Sequence, residues 1–141
     1  MPLFEKILVP LDGSENSIWG LGKAVHIARV VGGAVTLIHV YSISHFAITP
    51  TQVYEYAQAM RRHGETILAD GEKKAEEEGV KAETLLVEGH AVEEIVKAAR
   101  AGNFNLIVVG ARGLSKFGGL LLGSVSDGVT RLAPCPVLIV R

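Results

Sequence analysis

An open, doubly wound α/β sheet of five parallel strands is the fold class that three observations predict. Short apolar runs recur along the 141 residues, most of them unbroken and rich in Val, Ile and Leu, as strands buried on both faces read. Stretches with helical spacing separate these runs, and each is long enough to make a right-handed crossover. No linker, low-complexity tract or internal repeat divides the chain, so one domain over 1–141 is expected.

The first run is Lys6-Ile7-Leu8-Val9-Pro10-Leu11. The helix predicted over 14–31 puts Ile18, Leu21, Val25 and Ala28 on one stripe, and Gly32-Gly33 stops it. A second strand is expected over 34–40. Residues 41–50 are too mixed for a strand and too β-branched for a helix, which predicts a surface loop. A long exposed helix follows from about 51 to 78, with Val53, Tyr56, Met60, Ile67 and Leu68 set among many charges, and Gly79 ends it. The third strand is expected over 84–87. Val92, Ile95, Val96 and Ala99 then form the apolar stripe of a helix over 91–101 that closes at Gly102. A fourth strand covers 106–109. The last helix, over 124–132, must stop before Pro134 and Pro136, and the fifth strand covers 137–140.

Composition removes several classes of function. Lys and Arg number 14 against 15 Asp and Glu, a formal net charge of -1 with no basic run, which argues against generic attraction to nucleic acid. Cys135 is the only cysteine, so an internal disulfide and a Cys-rich zinc site are excluded. That usage suits a reducing cytoplasm. No apolar run approaches the roughly 20 residues of a membrane helix, and the N-terminus does not read as a signal peptide. A cytoplasmic protein without membrane association is expected.

Ligands of open α/β sheets bind outside the carboxyl ends of the strands, where strand order reverses. After the first strand, Pro10-Leu11-Asp12-Gly13-Ser14 puts a carboxylate and a hydroxyl just before a helix. Two readings stand: Asp12 and Ser14 cap that helix, or Asp12 faces a ligand hydroxyl, as acidic residues face ribose in nucleotide folds. The fourth strand runs into Val109-Gly110-Ala111-Arg112-Gly113, and the segment closes with Gly123-Ser124-Val125-Ser126 at the start of a helix. Glycines let backbone amides approach an anion, the helix N-terminus adds partial positive charge, and Arg112 and Lys116 add full charges. This is phosphate-binding chemistry, although the same glycines would also serve ordinary turns.

Other nucleotide and catalytic patterns are missing. No Lys-Ser or Lys-Thr pair completes a Walker loop, and no Gly-x-Gly follows the first strand. The Ser-rich piece from Gly123 lacks the Gly-x-Ser-x-Gly of a hydrolase elbow. His26, His39, His45, His63 and His90 are scattered without metal-ligand spacing, which favours structural or solvated roles.

The chain resembles the universal stress protein family. The resemblance rests on Ile7-Leu8-Val9-Pro10-Leu11-Asp12-Gly13-Ser14, the spacing Gly110-x2-Gly113-x9-Gly123-Ser124, and the ending Ala133-Pro134-Cys135-Pro136-Val137-Leu138-Ile139-Val140. The long glycine spacing is similar to that of the family's ATP-binding branch. The resemblance implies a Rossmann-like sheet of strand order 3-2-1-4-5 and a nucleotide site at its reversal. Asp12 would face the ribose and adenine side with Leu11 and Ser14 beside it, the backbone at Val40 would contact the base, and Pro10 and Val109 would flank the nucleotide. Gly110, Arg112, Gly113, Gly123, Ser124 and Val125 would hold ribose and phosphates of ATP or AMP, with Mg or Mn bridging phosphate oxygens. It also implies a homodimer through the apolar edge strand 137–140, an edge that invites pairing.

The expected function is therefore a nucleotide-dependent stress-response module acting through an unidentified partner protein. The alternative is a slow ATP hydrolase or phosphotransferase, with Ser124 or Ser126 as an acceptor. Asp12 is the only carboxylate expected near the crevice, on its sugar side, so no catalytic residue is assigned and binding is favoured over turnover. A nucleotide-free interaction protein would require a vestigial glycine loop.

Overall fold

The computed structural model describes residues 3–43, 49–111 and 123–141. Strands and helices alternate: β1 (Lys6–Pro10), α1 (Glu15–Val31), β2 (Ala34–Tyr41), α2 (Pro50–Glu77), β3 (Ala82–Glu88), α3 (Ala91–Ala101), β4 (Leu106–Gly110), α4 (Ser124–Leu132) and β5 (Val137–Val140). All pairings are parallel and the sheet order is β3-β2-β1-β4-β5. Strand β1 lies between β2 and β4, with Ile7 opposite both Val35 and Leu106. The chain winds outward from β1 in one direction and then from β4 in the other, so the order reverses at β1 and β4.

Side chains alternate across each strand and build two cores. Ile7, Val9, Leu37 and Val108 meet Leu21 and Val25 of α1 and Leu68 and Ala75 of α2 on one face. Leu8, Ile38 and Ile107 meet Ile95 and Ala99 of α3 and Val129 of α4 on the other. Helix α1 begins where Ser14 Oγ accepts from the Ser17 N–H at 3.2 Å, and ends at Gly32. No helix among the described residues is long and apolar enough to cross a membrane.

Two expectations need correction. The surface loop predicted over 41–50 is narrower: Tyr41 is buried and still pairs with Glu88. At its other end, Thr49 and Gln52 form a reciprocal capping box that starts α2 at Pro50. Proline suits that position because the first helical N–H has no intrahelical acceptor. Residues 44–48 lie outside those described. Burial on both faces holds for β1, β2 and β4 but not for the edges, since β3 and β5 each have one flank without a neighbouring strand and expose Leu85 and Leu138.

Candidate functional site

The carboxyl ends of β1, β2 and β4, with the first turns of α1, α3 and α4, wall a cavity of about 160 Å³. Pro10 supplies the end of β1, Leu11, Asp12 and Ser14 the loop beyond it, Val40 the end of β2, Val109 and Gly110 the end of β4, and Val125 the first turn of α4. These eight were expected from sequence. Gly123 and Ser124 open α4 beside Val125 but do not wall the cavity. Arg112 and Gly113 fall within 112–122, outside the described residues.

The loop between β1 and α1 is held by its own side chains. Asp12 Oδ1 accepts from the Ser14 N–H at 2.9 Å, and Ser17 Oγ donates to the Ser14 carbonyl at 2.9 Å. Gly13 turns the chain with φ +86°, a conformation open to glycine at little cost. Ser14 is the cap of α1, Asp12 braces the turn before it, and both also line the cavity. Asp12 is the only charged side chain among the described walls.

Gly110 has a packing reason beside the ligand-approach reason read in sequence. A Cβ there would lie 2.3 Å from the carbonyl oxygen of Asn16 and 2.8 Å from the amide nitrogen of Ser17. The missing side chain lets β4 pack directly on the first turn of α1, where Asn16 Nδ2 also donates to the Ala111 carbonyl. The N-caps of α3 and α4, His90 and Gly123, make no side-chain capping hydrogen bond. Both helices nevertheless reach the cavity in their first turns, through Ala91 and Val125. An anionic group would meet two positive dipole ends there, while Ile38, Val40, Ile95 and Val109 offer apolar surface to a flat body. Among the described residues no histidine or cysteine lines the cavity, and no group of three or more metal-ligating side chains occurs.

A groove of about 480 Å³ runs between α1 and α2 on the opposite face of the sheet. Its charged rim is mixed, Asp70 and Glu77 against Lys73 and Lys74, and so favours no ligand charge.

The model of the universal stress protein family matches residues 3–141. The chain belongs to the universal stress protein family. It is 37% identical over 148 residues to universal stress protein YxiE of Bacillus subtilis strain 168, which covers 99% of this chain and 100% of that protein. Among solved structures, universal stress protein UspA of Lactobacillus plantarum superposes with a TM-score of 0.85 at 25% identity, over 98% of both chains. A universal stress protein solved in complex with cAMP has a TM-score of 0.78 at 27% identity, over 99% of this chain and 98% of that one.

Sequence reasoning missed four walls of this universal stress protein's cavity: Ser17, Ile38, Ala91 and Ile95. Two carried a readable signal. Ile38 lies two residues before Val40 on the same strand face, and Ile95 lies four after Ala91 on one helical stripe. Ser17 carried none, because it lines the cavity only through the packing of α1 against β4.

Proposed function

We propose that the protein binds adenine nucleotides in this cavity, with ATP as the working ligand, and presents an altered surface to a partner protein when occupied. One observation carries the reading: at the reversal of strand order, a small apolar slot holds a single carboxylate and is entered by two helix N-termini without side-chain caps. That combination suits a flat base, a ribose hydroxyl and an anionic tail. The relative solved with cAMP supports the same ligand class.

In this reading Asp12 and the backbone of Val40 face ribose and base, Pro10 and Val109 flank them, and Leu11 and Ser14 hold the loop. Gly110, Arg112, Gly113, Gly123, Ser124 and Val125 serve the ribose and phosphates. In this reading the described cavity takes the base end of the nucleotide while the phosphates run out toward α4. Asp12 alone is a poor cage for a divalent ion, whereas Mg2+ characteristically binds through one or two carboxylates and the substrate's phosphates. Mg or Mn would therefore arrive with ATP.

The test is calorimetric titration of the purified protein with ATP and Mg2+, followed by chromatography of the mixture over hours. Saturable binding with ATP left intact is the expected outcome. ADP forming at a rate lost with Asp12→Ala would move the protein to the slow-hydrolase class, and no heat of binding for ATP or AMP would refute the reading.

A further inference from the structure

We propose that His39, which does not itself reach the cavity, is the positioning residue of the nucleotide site, acting through the carbonyl of Leu11. This inference rests on the nucleotide reading above. His39 precedes Val40 on β2, so its ring points to the α2 face while Val40 faces the cavity. The ring is buried, and Nδ1 lies 2.7 Å from the Leu11 carbonyl oxygen. A carbonyl only accepts, so Nδ1 carries the hydrogen of this bond. Among the described residues Nε2 is buried and has no hydrogen-bond partner.

A second sacrifice surrounds the same ring. Gly64 sits inside α2, and a Cβ there would come within 2.6 Å of both His39 Cδ2 and Leu86 Cδ1. Glycine is the weakest helix former apart from proline, yet only glycine leaves room for the imidazole. The His63 ring stands edge-on beyond it, 6.4 Å between centroids. A buried ring nitrogen without a partner among the described residues and a weakened helix are thus both tolerated around one hydrogen bond.

That bond holds one end of the Leu11–Asp12 peptide plane, whose other end, the Asp12 N–H, makes a longer bond to Ser17 Oγ at 3.4 Å. The Leu11 N–H donates to the Ile38 carbonyl at 2.9 Å and the Leu11 carbonyl accepts from His39, so both peptide groups of Leu11 are tied to β2. The next residue is Asp12, the charged wall of the cavity. Without His39 the Leu11 carbonyl would be buried and unpaired, and rotating the Leu11–Asp12 peptide to find a partner would carry Asp12 away from the ligand.

The test exploits the two ends of the imidazole. His39→Leu keeps bulk without a donor, His39→Asn sets an amide N–H near the place of Nδ1, and His39→Gln sets one near Nε2. With ATP and Mg2+ as probe, His39→Leu and His39→Gln should bind at least tenfold more weakly than wild type, and His39→Asn should recover most of the affinity, at matched thermal midpoints. Hydrogen exchange of the amides over 12–17 in the ligand-free protein should quicken in Leu and Gln and be restored in Asn. Equal losses in all three variants, or none, would overturn the proposal. Nitrogen NMR of the wild type reads the tautomer without any variant, and a ring protonated at Nε2 rather than Nδ1 would also overturn it. If wild type binds no nucleotide, the function reading fails, while the exchange and tautomer results still decide whether His39 sets the loop.

Discussion

At the scale of single residues, the cavity is built by contacts that leave little room for change. Replacing Gly110 by alanine would push a methyl group into the backbone of Asn16, where no flexible side chain can yield. We expect Gly110→Ala to destabilise the fold by roughly 1–3 kcal/mol, read as a lower thermal midpoint, and to weaken ATP binding because the shifted α1 carries Ser14 and Ser17. Ser14→Ala removes a helix cap and should cost about 1 kcal/mol. Cys135 is chemically quiet: burial pushes its thiol above the ordinary cysteine range by disfavouring the thiolate. Alkylation at pH 8 should therefore run slower than for an open thiol and quicken as pH rises further, and a rate equal to free cysteine would contradict this. The cap at Ser14 was legible because its partner is three residues away. The packing reason for Gly110 was not, since Asn16 is remote in sequence and meets it only in the folded chain.

At the scale of elements, α2 divides in two. It runs 28 residues, about 42 Å, but its buried positions begin only at Gly64 and continue through Leu68, Gly71 and Ala75. Val53, Tyr54 and Tyr56 lie exposed on the earlier part. The two halves should respond differently: Leu68→Ala should cost about 2–5 kcal/mol, and Tyr54→Ala should stay within about 0.5 kcal/mol. Similar losses at both positions in denaturant unfolding would show that something covers the first half. The ends of α2 and β2 were misread for a common reason. The capping box at Thr49 and Gln52 and the buried Tyr41 are side-chain events at boundaries, where composition averages blur. All five strands were legible as apolar runs, β5 with its observed bounds, whereas β3 extends beyond the run 84–87 into Ala82, Glu83 and Glu88, where the open edge admits polar residues.

At the scale of the whole molecule, periodicity identifies strands and helices but says nothing about their lateral order. The order 3-2-1-4-5 came from the resemblance, carried by motifs at both ends of the chain, and the parallel register of β1 with β2 and β4 bears it out. That order brings Asp12, Val40, Gly110 and Val125, which lie far apart in sequence, around one cavity. The sheet leaves β5 as an outer edge with Leu138 exposed, and we propose that two copies pair there. Light scattering at micromolar concentration should give twice 15.0 kDa, and Leu138→Lys should give the monomer.

The nucleotide site is the central claim, and the most direct measurement is amide NMR of the full chain titrated with ATP and Mg2+. Saturable shifts are expected at Asp12, Ser14, Val40, Gly110 and Val125, with the α1–α2 groove at Thr66 and Lys74 undisturbed. Shifts confined to that groove, or none at concentrations that saturate related nucleotide sites, would contradict it.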